Sequence, residues 1–282
     1  MKQIELVSGI KSSVLGFGCA PIMGSVGGNK AKRALDCAID NGITHFDIAR
    51  SYGYGEAEKF VGRHLKAKRK DIIIASKAGI KANFKAKLMG PIKPIIRYGL
   101  SKLKKNTPAA PAPLQETNNT AQIADSFHYR ITLNASELRK SLEESLKALG
   151  TDYLDYFFIH EPFHMLENIE ELADCANKFK EEGKIKAWGL AFMMNQKHLH
   201  TTYINKFDLL QFNNSPGMEG YQNIINERST SSNIFFSPLR GGDMDMKPAE
   251  KLKKLSADFQ KSVILCSMFN EKHLISNAKL FM

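Results

Sequence analysis

The sequence is poor in cysteine. Only four cysteines occur in 282 residues, and no two of them form a CxxC pair. A disulfide framework or a structural zinc site needs closely spaced or paired cysteines, so neither is expected. Scattered thiols that stay reduced are typical of a cytoplasmic protein, and we expect that location. The four are Cys19, Cys37, Cys175 and Cys266.

Long apolar runs are also missing. No stretch approaches the roughly 18–20 apolar residues that cross a bilayer. The first ten residues include Lys2 and Glu5 and lack the apolar centre of a signal peptide. Hydrophobic residues make up 43% and charged residues 24% of the chain. This composition excludes a disordered protein and fits a globular one.

Short apolar runs alternate with amphipathic stretches in eight strand-then-helix units. This alternation indicates a parallel sheet, and eight units in this length favour a closed (β/α)8 TIM barrel. The alternative, a doubly wound sheet, would most simply carry a GxGxxG fingerprint, but Pro21 stands where its third glycine should be. We therefore predict a single barrel domain over residues 1–282, with an N-terminal extension before the first barrel strand. The predicted strands are Ser13–Gly18, Ile43–Ile48, Asp71–Ser76, Tyr153–Ile159, Ile185–Leu190, Phe207–Phe212, Ile234–Ser237 and Val263–Ser267.

One long insertion, about residues 78–133, separates the third strand from its helix. Its Ala78–Gln115 part has eight basic residues and no acidic one, although the net charge of the whole chain is only +11. Loops that follow barrel strands lie on the catalytic face. Three roles are open for the insertion. It is a solvated loop, it attracts an anionic substrate, or it contacts an anionic membrane surface. No nucleic-acid-binding module is recognisable, so nucleic acid is not an expected partner.

Four side chains stand at or just beyond the carboxyl ends of predicted strands: Asp47, Tyr52, Lys77 and His160. A phenol is a weak acid at neutral pH, and a neighbouring ammonium group would lower its pKa. A carboxylate would hold that ammonium in place, and an imidazole would orient a substrate oxygen. The set is suited to protonating a carbonyl oxygen while the carbonyl carbon is attacked.

The chain resembles the aldo-keto reductase superfamily along nearly its whole length. The resemblance implies a catalytic tetrad of Asp47, Tyr52, Lys77 and His160. It also implies hydride transfer from NADPH or NADH to a small-molecule aldehyde or ketone, without a metal. The matching motifs include Gly16-Phe17-Gly18, Phe46-Asp47-Ile48-Ala49, Tyr52-Gly53-Tyr54-Gly55, Ser76-Lys77, Leu149-Gly150-Thr151-Asp152-Tyr153-Leu154-Asp155, Gly183-Lys184-Ile185-Lys186-Ala187, Gln211-Phe212-Asn213 and Ser237-Pro238-Leu239.

The same resemblance implies where the cofactor binds. Gln211 would hold the nicotinamide carboxamide, and Phe236 would stack on the nicotinamide ring. Asn277 would contact the adenine. The remaining implied cofactor-binding residues are Ser237 and Leu239 at the pyrophosphate, Arg240 and Gly241 close by, and Gly18, Ser267 and His273.

The sequence departs from the family pattern at three places. Relatives carry Ser-Asn after the fifth strand, but here Ala191-Phe192 stands there, so two polar contacts to the carboxamide are expected to be missing. Ser267 and His273 occupy positions where many relatives place Lys and Arg on the adenosine 2′-phosphate, which leaves the preference between NADPH and NADH open. The chain stops at Met282, just after the last predicted helix. We therefore expect the insertion to shape the substrate pocket in place of a C-terminal tail.

Three other functions compete with reduction. A regulatory barrel could bind a nucleotide without reducing anything, and a non-redox lyase or isomerase could use the same tyrosine and lysine. The run from His160 to His164 spells HExxH, the pattern of zinc proteases, but that pattern requires a helix and Pro162 lies inside it. The sequence does not indicate an oligomeric state.

Overall fold

The computed structural model describes residues 1–83 and 127–282. This part of the chain contains twelve strands and seven α-helices. The strands are β1 Gln3–Val7, β2 Ile10–Ser13, β3 Leu15–Gly18, β4 His45–Asp47, β5 Ile73–Ala78, β6 Ile80–Ala82, β7 His128–Arg130, β8 Leu154–His160, β9 Ile185–Phe192, β10 Leu209–Asn213, β11 Asn233–Phe236 and β12 Ser262–Cys266. The helices are α1 Gly28–Asp40, α2 Ala57–Leu65, α3 Ala135–Leu149, α4 Ile169–Glu181, α5 Tyr221–Arg228, α6 Pro248–Asp258 and α7 Glu271–Lys279.

Eight strands form a closed barrel in the order β3-β4-β5-β8-β9-β10-β11-β12, with β12 pairing back to β3. Each neighbouring pair is parallel. The predicted (β/α)8 barrel is therefore confirmed. Because all eight strands run the same way, their carboxyl ends meet on one face of the barrel.

Local signals in the sequence explain where the helices begin and end. The Asn134 side chain accepts a hydrogen bond from the Glu137 amide and so caps the start of α3. The same helix stops at Gly150, whose left-handed backbone (φ 65°) suits a residue without a Cβ. The buried face of α3 then packs on α2 and α4 outside the barrel.

The segment after β9 differs from the sequence prediction. The sequence pattern of residues 195–204 predicts a helix, but the structure has two short 3-10 helices there, Met194–Leu199 and Ile204–Lys206. His200 lies between them, fully buried, and its Nδ1 is 2.7 Å from the hydroxyl of Tyr203. Burying this imidazole turns the chain inward, which a continuous surface helix would not allow.

Two small hairpins lie outside the barrel sheet. The antiparallel pair β1–β2 is the N-terminal extension, and it covers the amino ends of the barrel strands, where Ser12 lies 3.2 Å from His45. The pair β6–β7 joins the two described ends of the insertion. Most of the basic residues of the insertion lie outside the described residues, whereas Lys81 forms an ion pair with Glu137 at 3.0 Å. Within 1–83 and 127–282, no helix is long and apolar enough to cross a membrane.

Candidate active site

The four predicted catalytic residues come together at the carboxyl ends of three adjacent strands. Asp47 ends β4, Lys77 lies one residue before the end of β5, and His160 ends β8. Tyr52 begins a short 3-10 turn that follows β4. All four line one cleft. The structure thus places them as the sequence predicts.

Lys77 and Asp47 form a buried ion pair. The Lys77 Nζ lies 2.5 Å from Asp47 Oδ1 and also donates to the backbone oxygen of Ile48 at 2.9 Å. The second oxygen of Asp47 accepts a hydrogen bond from Gln211 Nε2 at 2.8 Å. Buried charges are stable only when they are paired and hydrogen-bonded, and this pair meets both conditions.

Tyr52 remains a neutral phenol in this environment. Burial raises the pKa of Tyr52 well above the ordinary value, and the carboxylates of Asp47 and Glu161 raise it further. The sequence predicted the opposite direction, because Lys77 was expected to lower this pKa. The ammonium group does lie 5.2 Å from the centre of the Tyr52 ring, but Asp47 compensates its charge. Tyr52 therefore keeps its proton at neutral pH.

His160 faces Tyr52 as an uncharged imidazole. The two rings meet edge to face, with 5.9 Å between their centres. Burial lowers the pKa of His160 well below the ordinary value, and the positive charges of Lys77 and Arg130 lower it further. Its buried Nδ1 has no hydrogen-bond partner among the described residues. A neutral imidazole can share a hydrogen bond with a substrate oxygen without adding a net charge.

A cleft of about 790 Å³ extends from the four residues toward the start of α7. Nine of the ten predicted cofactor-binding residues line it: Gly18, Gln211, Phe236, Ser237, Leu239, Arg240, Ser267, His273 and Asn277. Gly241, the tenth, lies beside the cleft, where its carbonyl accepts a hydrogen bond from Lys251 at 2.6 Å. The cleft therefore brings the predicted residues into one continuous surface.

Three features of the cleft fit a dinucleotide. The Oε1 atom of Gln211 is buried and has no hydrogen-bond partner in the described part of the chain, so an amide of a bound group could satisfy it. Gly18 lines the cleft without a side chain, and a Cβ at this position would lie only 3.0 Å from the Ser267 hydroxyl. Phe236 adds an aromatic surface. An amide acceptor and an aromatic surface suit a nicotinamide ring and its carboxamide.

The side chains of Ala191 and Phe192 lie in two different environments. Ala191 lines the cleft, where it offers no polar side-chain contact. Phe192 is buried away from the cleft, with its ring centre 5.6 Å from that of His200 and 5.5 Å from that of Phe212. The bulky side chain therefore does not fill the cleft, and Gln211 is left as the polar group nearest to Ala191 on the neighbouring strand.

The cleft includes residues that sequence reasoning missed. Lys30, from the first turn of α1, lines it, as do Glu161 and Asn270. Glu161 directly follows His160, so its position next to a predicted catalytic residue was a usable signal. Lys30 carried no such signal, because its approach to the cleft depends on how α1 packs against α7.

Four non-glycine residues at the catalytic end of the barrel have a left-handed backbone. They are Met23, Tyr54, Glu161 and Ser237, with φ between 45° and 61°. Each follows a barrel strand on the catalytic face. Such conformations cost on the order of 1–3 kcal/mol each and persist only where the surrounding structure holds them, most often at functional sites.

A second hollow of about 640 Å³ adjoins Tyr52 and His160. The insertion contributes Ile80, His128, Tyr129 and Arg130 to its wall, and Phe163 lies opposite, under the Arg130 guanidinium at 3.3 Å. The described ends of the insertion therefore border the space beside the phenol.

His160 ends a strand and residues 161–164 are not helical, so the HExxH run does not have the geometry of a zinc protease.

A sequence profile of the aldo/keto reductase family matches residues 14–213. The chain belongs to this family. L-galactose dehydrogenase of Arabidopsis thaliana is 29% identical over 202 residues, which are 67% of this chain and 49% of that protein. The chain spans about half the length of the curated relatives it matches.

Solved structures confirm the fold. A putative aldo-keto reductase from Pseudomonas aeruginosa superimposes with a TM-score of 0.71 at 20% identity and covers 99% of this chain and 93% of its own. An aldo-keto reductase from Klebsiella pneumoniae, solved in complex with NADPH, has a TM-score of 0.62 at 17% identity and covers 99% and 89%.

Proposed function

We propose that this protein reduces an aldehyde or ketone with a nicotinamide dinucleotide as hydride donor. The observation that carries the proposal is the neutral Tyr52 phenol beside the neutral His160 imidazole, at one end of a cleft that fits a dinucleotide. Family membership supports it, since the matching relatives include proteins named as dehydrogenases of sugars.

Each residue of the site has a separate proposed role in the reaction. A bound reduced nicotinamide supplies the hydride. Tyr52 gives its phenolic proton to the carbonyl oxygen as negative charge develops there. His160 donates a hydrogen bond that holds the same oxygen near the phenol. Lys77 is held by Asp47 with its ammonium group 5.2 Å from the centre of the Tyr52 ring, where its positive charge offsets part of the effect of the two carboxylates on the phenolate left after proton transfer.

NADPH is the better fit of the two dinucleotides. If the nicotinamide lies near Tyr52, the far end of the cleft receives the adenosine. Three basic side chains, Lys30, Arg240 and His273, line the cleft, and its lining acids, Asp47 and Glu161, both belong to the catalytic end. Basic side chains at the adenosine end favour an additional phosphate. The NADPH-bound structural relative is consistent with this choice.

The substrate is proposed to be a small carbonyl compound of moderate polarity, such as a sugar-derived one. The hollow beside Tyr52 combines aromatic side chains with His128, Arg130 and Glu161. Arg130 lies 3.9 Å from the Glu161 carboxylate, which offsets part of its positive charge. This pairing weakens the case for an anionic substrate relative to a neutral polyol carbonyl.

Replacing Tyr52 with Phe tests the function. The turnover number for NADPH-dependent carbonyl reduction should fall at least about 100-fold, because general acid catalysis contributes on the order of 10²–10⁴-fold. The dissociation constant for NADPH, followed by fluorescence quenching, should stay within about two-fold. Tyr153→Phe, at the opposite end of the barrel, is the matched control and should behave as wild type. Equal turnover in wild type and Tyr52→Phe would contradict the role of the phenol.

A further inference from the structure

The insertion closes on itself next to the active site. Its two described ends pair as strands β6 and β7, with Ile80 opposite Arg130 and Ala82 opposite His128. Hydrogen bonds extend the pairing on both sides, from Ile131 to Gly79 at 2.9 Å and from Asn83 to Phe127 at 2.9 Å. The hairpin begins only three residues after Lys77, so it is tied directly to a catalytic strand.

Two side chains of β7 bond to the backbone beside two catalytic residues. His128 Nε2 donates to the carbonyl oxygen of Ser51 at 2.9 Å, and Ser51 immediately precedes Tyr52. Arg130 Nε donates to the carbonyl oxygen of Glu161 at 3.0 Å, and Glu161 immediately follows His160. Residues two apart on a strand point the same way, which is why one short strand reaches both loops.

Both loops have backbone conformations that need support. Glu161 has φ 45°, and Tyr54, in the turn that carries Tyr52, has φ 61°. The hairpin packs on each of them. The His128 ring is nearly parallel to the Tyr54 ring (9°) with 6.0 Å between centres, and the Arg130 guanidinium covers the ring of Phe163. Non-glycine residues keep a left-handed backbone only where the surrounding structure stabilises it. The hairpin therefore contributes to stabilising the backbone conformations of Tyr54 and Glu161.

We propose that the β6–β7 hairpin is a positioning element of the active site, in which His128 fixes the loop of Tyr52 and Arg130 fixes the loop that follows His160. The two residues act through the backbone carbonyls and set the distance between the phenol and the imidazole. An error of about 1 Å in such a distance can cost on the order of 100-fold in rate. The kinetic part of the proposal depends on the proposed function, whereas the structural part does not.

The test compares donor-lacking and donor-keeping variants. His128→Phe keeps a ring against Tyr54 but removes the donor, and His128→Gln restores a donor. Arg130→Met and Arg130→Lys form the second pair. Lys81→Met is the matched control, because Lys81 belongs to the same hairpin but bonds to Glu137 on α3.

Amide hydrogen exchange of the whole protein is read by mass spectrometry in peptides that contain Ser51–Gly55 and Glu161–His164. We expect faster exchange in the Tyr52 peptide of His128→Phe and in the Glu161 peptide of Arg130→Met, with the Gln and Lys variants near wild type. The turnover number should fall about ten-fold or more in the donor-lacking variants, with the KM for NADPH unchanged.

Two results would overturn the proposal. One is exchange and turnover at wild-type values in both donor-lacking variants. The other is an equal increase in exchange in Lys81→Met, which would make the hairpin a general contributor to stability. Exchange is measured without substrate, so it decides the proposal even if the wild-type protein reduces no carbonyl compound, a result that would end the proposed function alone.

Discussion

We expect Lys30 to contribute more than any other residue to a preference for NADPH. It lines the cleft from α1, together with Ser267 and His273. By the family resemblance, the last two stand at positions that carry Lys and Arg in many relatives. An ammonium group a few ångströms from a phosphate at a partly exposed site contributes on the order of 1–2 kcal/mol.

We therefore expect Lys30→Met to raise the dissociation constant for NADPH about ten-fold and to leave that for NADH nearly unchanged. Calorimetry with 2′,5′-ADP and 5′-ADP isolates the phosphate contribution without any reaction. Lys32→Met removes the same charge from the same helix at a position that does not line the cleft, and it should have no effect. Equal weakening of NADPH and NADH binding would show that Lys30 does not recognise the 2′-phosphate.

For single residues, the sequence was enough to predict positions that depend on strand ends. Properties that depend on packing could not be predicted from it. Asp47, Lys77 and His160 could be placed because each lies at or within one residue of the end of a strand, in a recognisable order. The pKa direction of Tyr52 could not be predicted, because it depends on burial and on two carboxylates, one of them on another loop. The burial of Phe192 away from the cleft could not be predicted either, because the sequence of β9 does not show which side chains pack behind that strand.

Gly62 allows α2 and α3 to approach each other closely. A Cβ on Gly62 would lie 2.1 Å from the backbone oxygen of Leu149, an overlap that requires a helix to move. In an open helix, alanine would be better than glycine by about 1 kcal/mol. Here the steric cost exceeds that gain, because the obstacle is backbone rather than a flexible side chain.

Gly62→Ala should lower the free energy of unfolding by about 1–3 kcal/mol, which is typical of overpacking. Urea unfolding followed by circular dichroism measures this difference. Arg63→Ala, one residue along on the exposed face of α2, serves as the comparison and should change stability by less than about 0.5 kcal/mol. A stabilised Gly62→Ala variant would mean that the two helices can separate at little cost.

Elements were predicted well where their signals are local. Asn134 caps the start of α3 and Gly150 ends it, and both residue types are sequence signals for a helix boundary. The 3-10 helices after β9 were missed because burial of His200, a tertiary effect, overrides the helical pattern of that segment. The β6–β7 hairpin was missed for a similar reason, since its two strands are separated by more than forty residues of sequence.

Across the whole molecule, buried histidines make stability depend on pH. Burial lowers the pKa of His45 to about 3 and that of His200 to about 4, and it also lowers the pKa of His160. These imidazoles bind protons less tightly in the folded than in the unfolded state. The unfolded state therefore takes up more protons below about pH 6.5, and the free energy of unfolding decreases as the pH falls.

We expect the urea midpoint to fall between pH 7 and pH 5, by an amount equivalent to about 1–2 kcal/mol for each fully buried histidine. His45→Gln should flatten this dependence by one such increment. His273→Gln, at an exposed position, should leave the slope as it is in wild type. Midpoints that coincide at pH 5 and pH 7 in the wild-type protein would show that the buried imidazoles are not kept neutral.

The N-terminal hairpin brings Lys2 next to Phe281, with the Lys2 amide donating to the Phe281 carbonyl at 2.7 Å. Both residues therefore lie on the side of the barrel away from the catalytic cleft. Lys2 is exposed, and a tether attached at that position would hold the barrel with its cleft facing the solution. A single reactive group introduced there would give oriented attachment to a bead or an electrode, with every cleft presented to substrate in the same direction.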